Sequence, residues 1–195
     1  MRVGPHARCE RERSFAAARD AAAAARSASA ASYSGLVTLA GTSSIVANAG
    51  DINITNAGTI TLQSVDNAQA ATLIVGSNGA LTNAAAGVIN FNTGTGGGRT
   101  FSGDLINNGT VNLNESTTFS KSSGSYTNNN AFNIAADKTL TISGSSQVFT
   151  QAGGTLTANG LFDMTSAAFN FNGGTVTGQA LLEQVALIRL STSRA

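Results

Sequence analysis

Glu115 and Asp137 are the two acidic side chains whose spacing could support chemistry. They stand 22 residues apart, close to an interval that recurs along the chain, so in a stacked repeat they would meet on adjacent coils. Two carboxylates so placed could share acid and base roles on a glycosidic bond or ligate Ca²⁺. Asp51, Asp66, Asp104 and Asp163 fall at unrelated phases, and no His, Tyr or Arg is in phase with the pair. The expectation is therefore two solvated turn residues. The single histidine, His6, has no partner near it, and Cys9, the single cysteine, cannot form a disulfide within the chain.

Residues 94–99, G-T-G-G-G-R, have the composition of a phosphate-cradling loop. Such loops lead into a helix whose N-terminus faces the phosphate. Here a further strand pattern follows and no Lys-Ser/Thr pair, so an inter-coil loop is expected. Nor does this glycine cluster, with Asp104 beyond it, match the serial G-G-x-G-x-D of Ca²⁺-binding repeats. Thr-x-Thr occurs at Thr59/Thr61, Thr139/Thr141, Thr155/Thr157 and Thr175/Thr177. Regular outward threonine pairs can order water or bind ice, but this series is interrupted, and threonine is also a good strand residue. No catalytic, cofactor-binding or metal-ligating residue is assigned, no cofactor is expected, and the chain is expected not to be an enzyme.

The elements that would position any site are short strands. Apolar residues two apart mark one buried strand face. They occur at Ile52/Ile54, Ile60/Leu62, Ile89/Phe91, Val111/Leu113, Phe132/Ile134, Leu140/Ile142, Phe162/Met164 and Phe169/Phe171. Residues 105–114, L-I-N-N-G-T-V-N-L-N, give the unit in its clearest form: an Asn-Asn-Gly turn, then a strand with Val111 and Leu113 on one face and Thr110, Asn112 and Asn114 on the other. Asn and Gly before many strands are turn residues because they tolerate positive φ. The intervals cluster near 21: Ile60 to Leu81, Ile89 to Val111, Val111 to Phe132, Leu140 to Phe162 and Leu156 to Val176. Steps of 8 lie within them, as from Leu81 to Ile89.

An interval of that length holding two or three strands suits one coil of a parallel β-solenoid, in which each strand pairs with its equivalent one coil away. An antiparallel sandwich or barrel would also use Asn-Gly turns but would not produce the longer interval. The Asn residues at equivalent turns are expected to stack amide to amide. About seven coils would make a rod on the order of 30 Å long.

Composition fits an exposed polar solenoid. Of 195 residues, 11% are charged and 22 are glycine. The net charge is +1, but residues 1–34 hold six Arg against three acids, while the remainder holds five basic and seven acidic residues. The repeat region is nearly neutral and shows no basic face for nucleic acid. No run of 18 apolar residues exists to form a transmembrane helix. Residues 1–34 are Ala- and Arg-rich and expected to be helical or disordered. Ala28-Ser29-Ala30 has the form of a cleavage site, but Arg19, Asp20 and Arg26 break the apolar run that a signal peptide needs. Residues 35–179 form the repeats. Residues 180–195 are expected to be a cap or tail, with a helix favoured over a strand for 180–190.

The units I-T-N-A-G-T-I-T-L at Ile54, L-I-N-N-G-T-V-N-L at Leu105, F-T-Q-A-G-G-T-L-T at Phe149 and F-N-F-N-G-G-T-V-T at Phe169 resemble the passenger repeats of bacterial autotransporters and filamentous-haemagglutinin-like surface proteins. The resemblance covers about 140 residues. It implies an all-β, right-handed, single-stranded parallel β-helix that is secreted or held at a bacterial cell surface. It also implies a stalk or adhesive module whose partners are host or matrix glycans or like surface proteins. Neither the C-terminal membrane barrel nor the N-terminal secretion domain of such proteins is recognised here, so a fragment is expected. The other readings are a scaffold for a polysaccharide-active enzyme and a passive spacer.

Overall fold

The strand pattern closes into a parallel β-solenoid in a computed structural model of the chain. Residues 53–64, 70–75, 79–142, 146–164 and 167–178 are described in full, and 30–33, 36–40, 44–47, 182–183 and 187–190 as strand backbone. Every regular element among them is a strand. Each coil contributes one strand to each of three parallel sheets. The first sheet runs over eight strands, from Ala30–Tyr33 to Leu187–Leu190. The second runs over seven, from Leu36–Ala40 to Thr175–Gly178. The third also has seven, from Ser44–Ala47 to Leu182–Glu183.

The fully described part makes about five coils, against about seven expected. The early coils are longer than the average interval used for that count. Thus Ile60 pairs with Ile89, and Leu81 with Ile54, rather than Ile60 with Leu81. The other four intervals link true partners: Ile89 with Val111, Val111 with Phe132, Leu140 with Phe162, and Leu156 with Val176. At the ends, Ala30–Tyr33 is a strand inside the segment expected to be helical or disordered. Residues 1–29, with His6 and Cys9, lie outside the described residues. Within 180–190, Leu182–Glu183 and Leu187–Leu190 are strands, correcting the helix favoured there. A short apolar run fits either period, and the open ladder of Ala168–Phe171 decides for strand by pairing with Leu187–Leu190.

The core lies inside the three sheets. Alternation sends Ile60, Leu62, Ile89, Phe91, Val111, Leu113, Phe132, Ile134 and Leu156 inward from the second sheet, each at most 5% exposed. The third sheet adds Leu73, Phe101, Phe119 and Ile142 in register. Aromatic rings meet along the axis, with centroids 5.1 Å apart for Phe101–Phe119, 4.9 Å for Phe119–Tyr126, 5.4 Å for Phe132–Phe149 and 5.0 Å for Phe149–Phe162. These spacings suit the edge-to-face and tilted contacts that aromatic quadrupoles favour.

The first sheet is built differently. Five consecutive strands each send one apolar residue inward and then one carboxamide. Asn56, Asn83, Asn107, Asn128 and Gln151 occupy equivalent positions at the corner leading to the second sheet, and all are fully buried. Each side-chain nitrogen donates to the carboxamide oxygen one coil on: Asn56 to Asn83 at 2.8 Å, Asn83 to Asn107 at 2.8 Å, Asn107 to Asn128 at 2.7 Å and Asn128 to Gln151 at 2.9 Å. The remaining capacity serves the backbone of the corner. Asn107 Nδ2 also donates to the Ala131 carbonyl, and its Oδ1 accepts from Gly109 N–H. Steps of 27, 24, 21 and 23 residues separate these amides, so the ladder holds constant while coil length varies.

Glycine is needed where the corners stack. A Cβ on Gly109 would come within 2.2 Å of the Gly87 carbonyl oxygen and 2.3 Å of that of Ala84. The ladder makes a sharp prediction. Asn107→Ala orphans the Asn128 oxygen, the Ala131 carbonyl and the Gly109 N–H, and should cost on the order of 3 kcal/mol in urea unfolding. Asn112→Ala, at an outward position, should cost less than about 0.5 kcal/mol.

Candidate binding face

Outward positions of the second sheet form two columns. One is Thr59, Val88, Thr110, Ala131, Thr155 and Thr175; the other is Thr61, Asn90, Asn112, Asn133, Thr157 and Thr177. No charged residue stands in either. Apart from Thr61, which is covered, the columns are half-buried to exposed. Their amides bond along the axis: Asn112 Nδ2 donates to Asn90 Oδ1 and Asn133 Nδ2 to Asn112 Oδ1, both at 2.9 Å. Asn114 donates to Asn92 at 2.9 Å beside them. Three of the four Thr-x-Thr pairs lie on this sheet, but Thr139/Thr141 lies on the third. The threonines therefore make no single array.

The charged side chains of the described residues lie off the second sheet. The structure sets Lys138, not Asp137, against Glu115, with Lys138 Nζ 3.2 Å from its carboxylate. Asp137 is exposed in a left-handed turn, with φ at 60°. The Glu115 carboxyl is held below its ordinary pKa: burial opposes ionisation, but the Ser116 N–H and Lys138 outweigh it. Asp104 pairs with Lys121 at 2.6 Å and accepts from Ser125 N–H at 2.8 Å. Asp51 and Asp66 lie outside the described residues. Among the described residues no group of three or more His, Cys, Asp or Glu is placed to hold a metal, and no helix is long and apolar enough to cross a membrane.

The glycine-rich loop holds a feature that composition did not show. Arg99 is 1% exposed, at an inward position of the third sheet between Ala71 and Thr117. Its Nε donates to the Asn92 carbonyl at 2.7 Å, and its Nη1 to those of Gly97 and Gly98 at 2.8 and 3.0 Å. The carbonyls of Thr93 and Gly96 complete the ring of acceptors. Burial lowers the guanidinium pKa and the Glu115 charge partly restores it. The loop is thus wrapped around an internal cation. Only the rigid fork of arginine offers donors in so many directions. The sequence clue was Arg99 itself, a charged residue at a position where its strand should face inward.

Comparison with protein-family models, curated proteins and solved structures finds no match.

Arg99→Met keeps the apolar stem but removes the donor that holds the carbonyls of Asn92, Gly96 and Gly97. It should lower stability by about 3 kcal/mol or more, and limited proteolysis should then cut first within residues 93–98.

Proposed function

We propose that this chain is a structural and adhesive module: a β-helical rod, exported to a bacterial surface or secreted, that presents an uncharged polar face to neutral glycans or to like surface proteins. The observation that carries the reading is the second sheet's pair of charge-free columns, Thr or Asn at every position but Val88 and Ala131, continuous over every coil described in full. A repeated face can bind through many weak contacts whose strength adds along the rod. Export and surface location are supported by the resemblance of the repeats alone. The enzyme-scaffold reading draws no support from the geometry, because Glu115 and Asp104 each face a lysine.

A passive spacer is the second reading. It is favoured by the way the outward asparagines already bond to one another, which leaves fewer free groups for a ligand.

The full chain, immobilised, can be screened against neutral and acidic glycans and matrix proteins. Binding to a neutral ligand should fall by about tenfold or more in the double variant Asn112→Lys, Asn133→Lys and be unchanged in Thr127→Lys on the first sheet. Binding that ignores the double variant would remove the face from consideration. No binding to any surface by a folded, extended particle would leave the spacer.

A further inference from the structure

Three Asn-Gly pairs fall within the described residues: Asn108-Gly109, Asn159-Gly160 and Asn172-Gly173. Asn-Gly is the dipeptide most open to spontaneous deamidation. The backbone nitrogen of the glycine attacks the asparagine Cγ and closes a succinimide ring. The Cγ–Nδ2 bond breaks and ammonia leaves, carrying the proton lost from the glycine nitrogen. Water then opens the ring at either carbonyl to give aspartate or isoaspartate. The step needs a glycine N–H that is not already donated and a side chain free to turn toward it, and glycine favours it because no Cβ hinders the approach.

The fold treats the three pairs differently. Gly109 N–H donates to the Asn107 oxygen at 3.2 Å, inside the buried ladder, and the Asn108 carboxamide is held by Asn129 at 2.8 Å. Gly173 N–H donates to the Gln151 carbonyl at 3.2 Å, and Asn172 N–H to the same oxygen at 2.8 Å. At the third pair the neighbours are bonded, Asn159 N–H to Ile134 at 3.0 Å and Leu161 N–H to Lys138 at 2.9 Å. Gly160 N–H, between them, meets no acceptor among the described residues, and the exposed Asn159 side chain is likewise unbonded there.

We propose that, of the three Asn-Gly pairs among the described residues, Asn159 is the modification site, a position that deamidates spontaneously while Asn108 and Asn172 are protected by their glycine hydrogen bonds. Asn159 follows Ala158, which is in register with Ile134 and, one coil further, Leu113. The new carboxylate would therefore stand at the border of the neutral face, in line with Asn114. The charge of that border would then depend on the age of the molecule.

The full folded chain, held at mildly alkaline pH and physiological temperature, is sampled over weeks by peptide mapping that separates aspartate and isoaspartate from asparagine. Asn159 should convert severalfold faster than Asn108 or Asn172, whereas in urea the three should convert at similar rates. Asn159→Gln should abolish aspartate and isoaspartate at that position and leave the rates at Asn108 and Asn172 unchanged. Conversion of Asn108 or Asn172 as fast as Asn159 in the folded chain, or no conversion at any of the three, would overturn the assignment.

Discussion

Five consecutive coils of this chain bury a carboxamide at the same corner, and the rest of the structure is fitted to that constraint. A primary amide carries two donors and an acceptor with two lone pairs, and burying it unpaired is costly. A single buried asparagine would be a liability. A column of them at the strand spacing makes each amide the partner of the next, from Asn56 to Gln151. The column also fixes register. A slip of one residue would turn the amides outward and the apolar row of Leu81, Leu105, Tyr126 and Phe149 with them. Coils of different length can then share one cross-section, because the surplus residues are expelled at the corners between strands, as between Asn83 and Val88. Beyond Gln151 the equivalent position is Phe171, where the ladder stops.

Much of this was legible in the residues. The apolar pairs marked the second sheet, part of the third and, at Phe169/Phe171, one strand of the first, since both inward positions of those strands are apolar, as at Val111 and Leu113. The first sheet was harder to see. Five of its strands have one apolar residue and one amide inward, so Tyr126 and Asn128 do not register as a pair two apart. Stacked asparagines at the turns were anticipated, but their burial was not, because turn asparagines are usually solvated. The carbonyl ring around Arg99 was invisible for another reason: a Gly-rich segment reads as loose, and what orders it is one side chain at its end. Glu115 and Asp137 illustrate the limit of spacing arguments. An offset of 22 places them near the same corner, but one residue of slack brings Lys138 to the carboxylate instead.

Charge placement separates the faces. Both described lysines form cross-strand pairs away from the second sheet, at Asp104–Lys121 and Glu115–Lys138. Such partly exposed pairs contribute little to stability, but their position leaves the second sheet neutral. A neutral polar face avoids the long-range attraction that would make a rod adhere indiscriminately. It also avoids the exposed apolar patches that drive aggregation. What such a face binds would then be set by short-range hydrogen bonding repeated along the axis, or, if its amides remain satisfied by one another, it would bind nothing and serve as a stable surface.

Side-chain amide hydrogen exchange in a ¹⁵N-labelled chain tests the central claim most directly. If the ladder is continuous and buried, the carboxamide protons of Asn56, Asn83, Asn107, Asn128 and Gln151 exchange only through global unfolding. Those of Asn112, Asn114 and Asn129, on the surface, exchange far faster. Equal, rapid exchange at both sets would mean that the amides are solvated, and the corner that aligns the coils would not exist as described.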